Sequence, residues 1–310
     1  MIRNHRTSQI ISACLELCVF VAASQLRIYA SDEMEQRLQS QYREKILILR
    51  GFYQGTKLIY DSAGMPTGSP VSGDWTVNGF VRVNSLTLSS QRLAIQADRL
   101  VLVNDGHAFG FHADHKKKAK KVSQLRIDAD LDPGGITAEK LNALLSKIFL
   151  NSQDRFADLV PAYWRPCISA ASGKGANIYS ACSFPPELAA IPGLISNLAD
   201  EKATEADAKA PDVEVVPIRK GVTPPKPRST PEPDFPDEAQ KLGYHGVIML
   251  MVVVDKTGQT RDIRIVRPLG MGLDQRAVDT VARWQFSPAQ QDGQPVSVEL
   301  AIEVDFHLYH

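Results

Sequence analysis

Eight of the chain's 19 prolines fall between Pro211 and Pro236. Proline removes a backbone donor and locks φ, so so dense a cluster cannot continue a helix or fill a central strand. The residues just before it, Ala199 to Ala210, are small and charged. Neither stretch can bury a core. Residues 199–231 therefore read as a charged and then Pro-rich linker. As polyproline II, Ala199 to Phe235 would reach about 100 Å at about 3.1 Å per residue. A chain of 310 residues fits two domains, one on each side.

Composition removes several classes of protein. Lys+Arg and Asp+Glu number 35 each, a balance that argues against a simple nucleic-acid binder. A hydrophobic content of 44% argues against an acidic disordered chain, and a mean hydropathy of −0.17 against a polytopic membrane protein. The N-terminus has a charged start, Met1 to Arg6, followed by an apolar run from Ile10 to Ala23. Ala22-Ala23-Ser24 offers a cleavage site after Ser24; cleavage after Ala30 is disfavoured by Ile28. Glu16 interrupts the run and Arg27 ends it, which disfavours a stable membrane span. Residues 1–30 are thus a signal peptide or a weak membrane anchor, with export preferred. Ile11-Ser12-Ala13-Cys14 resembles a lipoprotein box but comes too early.

Cys14 and Cys18 lie in this leader. Cys167 and Cys182 lie beyond it, where an oxidising compartment favours one disulfide closing the loop Ile168 to Ala181. Segment 166–198 is read as disulfide-closed; neither a CxxC spacing nor a nearby His supports a metal or redox pair.

Residues 31–165 read as a β-rich domain with a C-terminal helix. Met34 and Leu38 share helical spacing, and Ile46 to Leu49 and Lys57 to Tyr60 are short strands. Trp75 to Leu88 alternates as one long strand with a phase slip near Ser85, which predicts a bulge. Leu93, Ile95 and Ala97 alternate, then slip before Leu100 and Leu102. Val122 to Leu131 alternates again. Leu141, Leu144, Leu145, Ile148 and Phe149 form one helical face, with Thr137 as N-cap. Beyond the linker, Gly246 to Val254 is continuously apolar, Asp255 to Gly258 is a turn, and Ile263 and Ile265 mark another strand. Leu273, Ala277, Val281 and Trp284 recur at helical spacing, giving Trp284 a core role. Val296, Val298, Leu300, Ile302, Val304 and Phe306 alternate with Ser297, Glu299, Ala301, Glu303, Asp305 and His307. That strand has one face on a core and one in water. The class is α+β, with a small C-terminal domain of three antiparallel strands and two helices.

Residues 232–310 resemble the C-terminal domain of TonB-type energy transducers. The resemblance is carried by Phe235-Pro236 with Ala239, Gly246-Val247, Asp255, Gly258, Ile263, Leu273-Asp274, Ala277, Trp284, Phe286, Pro288, Gly293 and the strand to Phe306. It implies binding of an extended peptide from an outer-membrane TonB-dependent receptor by β-augmentation on the edge Val296 to Asp305, flanked by Phe235 and Pro236. A dimer through the same edge is a further option. The resemblance also implies the periplasm or cell envelope of a double-membraned bacterium and ExbB/ExbD-type motor subunits as partners. Departures are Glu232 and Asp234, where the family is often uncharged, and the absence of a His from the apolar run Ile10 to Ala23. No catalytic set, cofactor or metal site is expected, and the protein is read as no enzyme. The alternatives are a soluble periplasmic scaffold, or a glycan-binding or enzymatic function in residues 31–198.

Three constellations have plainer readings. His107, His112 and His115, with Asp105 and Asp114, sit on one polar loop, where spacing does not fix convergence. Lys116 to Lys121 reads as a solvated loop tip. Gly173-Lys174-Gly175 lacks the rest of a phosphate-loop pattern.

Overall fold

The computed structural model describes residues 32–112, 124–132, 136–171, 177–195 and 214–307. The leader, His115, Lys116 to Lys121, Gly173 to Gly175 and residues 199–213 lie outside them. After helix α1 (32–42) come strands β1 (Ile46–Ile48) and β2 (Lys57–Tyr60), the short helix α2 (Trp75–Asn78), β3 (Phe80–Leu88) and β4 (Arg92–Leu100). Strands β5 (Leu102–Asn104), β6 (Phe109–Phe111) and β7 (Gln124–Asp130) follow, then helix α3 (Ala138–Ile148). Five of these strands form a sheet in the order β1-β3-β4-β7-β2, antiparallel except for the β2–β7 pair. Leu38 of α1 and the apolar face of α3 join Val81, Val83, Ile95 and Ile127 in one core. Thr137 caps α3 by accepting from the Lys140 amide, and the β3–β4 register shifts between Val83 and Ser85.

The long strand read from Trp75 begins only at Phe80. Asp74 accepts from the Thr76 amide at 2.8 Å and caps α2, a local bond that competes with strand geometry. The second phase slip marks a departure from the sheet. Leu102 and Phe109, on the β5–β6 hairpin, enter a second core with Trp75, Phe80, Phe156, Trp164 and Phe184. Trp75 meets Trp164 edge-on at 4.9 Å and Phe156 at 5.1 Å, and Phe109 stacks on Phe184 at 4.9 Å. Residues 150–171 and 177–195 pack around this cluster through turns at 156–158 and 162–164, α4 (Arg165–Ser169) and α5 (Pro186–Ala189). A disulfide joins Cys167 to Cys182 within it.

The C-terminal part contains β8 (Val222–Thr223), β9 (Lys226–Ser229), α6 (Asp237–Leu242), β10 (Gly246–Val254), β11 (Thr260–Arg267) and α7 (Leu273–Val281). It ends with β12 (Gln285–Ser287), β13 (Ala289–Gln291), β14 (Gln294–Val296) and β15 (Val298–Phe306). Its main sheet is antiparallel in the order β11-β10-β15. Ile248, Leu250, Val252 and Val254 face α7's Leu273, Ala277 and Val281 in the core, as do Ile302, Val304 and Phe306. From Glu214 onward the Pro-rich segment is no spacer. It lies on this domain, with β9 paired to β12 and β8 to β13. Pro227 sits opposite Phe286 in β9, where a proline can face away from the ladder.

The hydrophobic core does not divide at this segment. The aromatic cluster and the core of the C-terminal sheet are continuous. Backbone bonds stitch the two sides: Asn104 donates to the Leu269 carbonyl at 2.7 Å and Met271 to Leu102 at 3.0 Å. The Gly272 amide donates to the Thr76 hydroxyl at 3.1 Å, and the Tyr244 hydroxyl to the Asn104 carbonyl at 2.9 Å. Gly270 makes this approach possible. Its φ is +83°, and a Cβ there would lie 2.3 Å from the Leu102 carbonyl oxygen, an atom of the opposing backbone. Gly270→Ala is therefore expected to cost about 2 kcal/mol or more. Urea unfolding should show the midpoint falling, with both sides of the seam moving together.

Candidate functional site

Strand β15 ends the C-terminal sheet. It pairs with β10 along its whole length, Gly246 opposite Phe306 through Val254 opposite Val298, and among the described residues no strand pairs with its other side. An edge of this kind presents a row of backbone donors and acceptors ready to pair with an added strand. The opposite end of the sheet is occupied. Strand β11 packs against the turn at 162–164, α4 and the turn at 177–179. Cys182 Sγ lies 3.6 Å from the Val266 carbonyl oxygen, and Tyr179 hydrogen-bonds Arg264. The disulfide-closed segment thus covers one edge and leaves the other.

Ile302, Val304 and Phe306 point into the core, Leu300 is half-buried, and Ala301, Glu303 and Asp305 are exposed. Glu299 pairs with Arg264 and Glu303 with Arg267 at 3.1 Å, both reaching across β10. Phe235 is half-buried and meets Phe306 edge-on at 5.6 Å. Pro236 is buried and starts α6, which ends at Gly243 in the left-handed region. Phe235 thus lies beside the Phe306 end of β15.

Two expected edge residues lie elsewhere. Val296 belongs to β14 and pairs with Ala289. Ser297 is buried, not solvent-facing, and its carbonyl accepts from the Val216 amide at 2.8 Å. The alternation of residue types ran on through a corner that only the β13–β14 hairpin defines. Trp284 lies at the margin of the core rather than inside it. It is half-buried and donates from Nε1 to the Pro231 carbonyl at 3.1 Å, fastening the Pro-rich segment. Its helical spacing concealed this, because α7 ends at Val281.

Outside the edge, His112 packs on Tyr244 at 6.2 Å and His107 sits in a turn capped by Asp105. Among the described residues no group of three or more His, Cys, Asp or Glu is arranged to hold a metal, and no helix is long and apolar enough to cross a membrane. An open cleft of about 260 Å³ lies beside α3, between Leu131, Ile136, Leu141 and Leu144 with Lys140 and Lys147 at hand.

Residues 231–308 match the family described as Gram-negative bacterial TonB protein C-terminal. They are a TonB-family C-terminal domain. The chain is 33% identical over 79 residues to Protein tonB2 of Pseudomonas aeruginosa, covering 25% of this chain and 29% of that protein. It is 32% identical over 78 residues to Protein TonB of Vibrio cholerae, covering 25% and 32%. The chain therefore spans less than a third of the length of these curated relatives. A solution NMR structure of the Pseudomonas aeruginosa TonB CTD covers 31% of this chain and 95% of that chain at 19% identity, with a TM-score of 0.25. The match begins at Pro231, the residue held by Trp284, and runs through β15; the segment that covers β11 lies outside it.

The Cys167–Cys182 bond fastens that covering segment. Replacing both cysteines by serine is expected to remove about 3 kcal/mol of stability. Hydrogen exchange should then rise across the chain, and more at β11 amides than at β15 amides.

Proposed function

We propose that this chain is a TonB-like cell-envelope protein whose C-terminal domain binds an extended peptide by strand addition at β15. The open edge of β15 carries the reading. The covered edge at β11 leaves one side for such a partner, and the main-chain groups of β15 supply affinity without a particular side chain. Phe235 and Pro236 flank the end of the strand, and the exposed Ala301 leaves room beside Glu303. The partner is the periplasmic peptide of an outer-membrane TonB-dependent receptor. The role is partner binding without catalysis, coupled where a motor of the ExbB/ExbD type engages the N-terminal part to transport across the outer membrane. The domain arrangement of leader, β-rich part, disulfide-closed segment and Pro-rich strap belongs to the same proposal, with the strap holding the TonB-like domain to the rest of the chain.

Strand addition has a signature that side-chain docking lacks. In an antiparallel or parallel added strand, only alternate peptide amides face β15. N-methylating those amides in a receptor peptide is expected to weaken binding to the full chain about tenfold, the loss of one or two main-chain hydrogen bonds. Methylating the intervening amides should leave affinity within about threefold. Titration calorimetry with NMR shifts at β15 checks this. Equal effects of the two methylation patterns, or shifts confined to residues away from β15, would rule the edge out.

A further inference from the structure

The β10–β15 ladder runs out onto two histidines. Its last pair is Gly246 opposite Phe306, and His245 and His307 are the next residues outward on the two chains. Continuing the register sets them opposite one another, where directly paired Cβ atoms stand about 4.5–5.5 Å apart. Their rings meet edge-on with centroids 6.4 Å apart, and both residues are exposed. The pair lies at the Phe306 end of the open edge.

Each ring is already oriented through the same nitrogen. His245 Nδ1 lies 2.9 Å from the Gly243 carbonyl oxygen. His307 Nδ1 lies 3.1 Å from an Asp305 carboxylate oxygen and 3.3 Å from the Phe306 carbonyl oxygen. All three partners are acceptors, so Nδ1 carries the hydrogen in each ring and donates it. In the neutral ring that leaves the lone pair on Nε2. An Nδ1–H given to a carbonyl or carboxylate, with Nε2 free, is the arrangement that metal-ligating histidines adopt. The outer partner fixes the tautomer and raises the basicity of the ligating nitrogen.

We propose that His245 and His307 bind one divalent transition-metal ion through their Nε2 atoms, with Asp305 as the carboxylate behind His307. Imidazole pairs take Cu²⁺, Ni²⁺ or Zn²⁺ in preference to Mg²⁺ and Ca²⁺, which require oxygen ligands. With metal–nitrogen bonds of about 2.0–2.1 Å, two imidazoles on one ion have centroids roughly 5–6 Å apart. The two exposed rings reach that separation by a shift of roughly 1 Å about their side-chain bonds, with no change in the ladder. The Asp305 carboxylate adds a negative charge close to the ion. Among the described residues there is no cage of three or more ligands here, so water fills the remaining positions and the ion exchanges freely. Bound there, it bridges the residue before β10 to the residue after β15 and pins the end of the open edge.

Titration of the full chain with Zn²⁺, followed by the ¹⁵N signals of the imidazole rings, tests the site. The Nε2 signals of His245 and His307 should move together on one binding curve, while those of His107 and His112 stay in place and Mg²⁺ moves none. His245→Asn and His307→Asn should each weaken Zn²⁺ binding at the remaining ring by more than about tenfold, a loss that removal of an outer partner alone can reach. Asp305→Asn should weaken it by about tenfold and shift the His307 ring nitrogens in the metal-free spectrum, leaving those of His245 unchanged. All three side chains are exposed, so the variants are expected to fold, and the wild-type titration decides without them. Zn²⁺ that moves only one of the two rings, or neither, would overturn the proposal. So would an equal response to Mg²⁺, or a loss below about tenfold in either histidine variant.

Discussion

The close passage of the loop Leu269–Gly272 over β5 is the constraint on which the rest of this structure depends. Backbone groups bond across it in both directions, Asn104 to Leu269 and Met271 to Leu102. Such bonds require two main chains to approach without a side chain between them, and Gly270 supplies that gap. Around this contact the aromatic cluster of Trp75, Phe109, Phe156 and Trp164 becomes continuous with the core of the TonB-like domain. An aromatic pair adds about 0.5–1.5 kcal/mol beyond its buried area. Rings drawn from α2, the β5–β6 hairpin and segment 150–195 therefore hold the two sides together as well as filling space.

This seam determines which edge of the C-terminal sheet is open. A three-stranded sheet alone has two bare edges, and exposed edges pair indiscriminately. Here the disulfide-closed segment takes β11, and the strap from Glu214 to Pro231 closes over β12 and β13. What remains is β15, flanked by Phe235. The ion pairs Glu299–Arg264 and Glu303–Arg267 cross the middle strand and tie the two outer strands together on the outer face. Through Arg264 and Tyr179 that network also reaches the covering segment.

Much of the local structure was legible in the residues. The alternation from Val298 to Phe306 identified a strand with one buried face, the leucine spacing identified α3, and Thr137 its cap. The misreadings share one cause. Alternation reports residue types and not hydrogen-bond partners, so it ran through Ser297, where the chain turns a corner, and through Trp75, where Asp74 offers a competing local bond. Proline density was read as a spacer because a proline-rich segment has few donors. At a sheet margin few donors suffice, and β8 and β9 form there by borrowing the edges of β13 and β12.

Sequence alone determined the α+β elements and the TonB-family character of the C-terminal segment, because strand and helix periods and a dispersed set of turn residues are local properties. Only the tertiary structure decided that the two halves share a core and that β11 is covered while β15 is not. Those outcomes rest on contacts between residues as far apart as Thr76 and Gly272. No local pattern encodes such a contact; it exists only where the packing of both sides is satisfied at once.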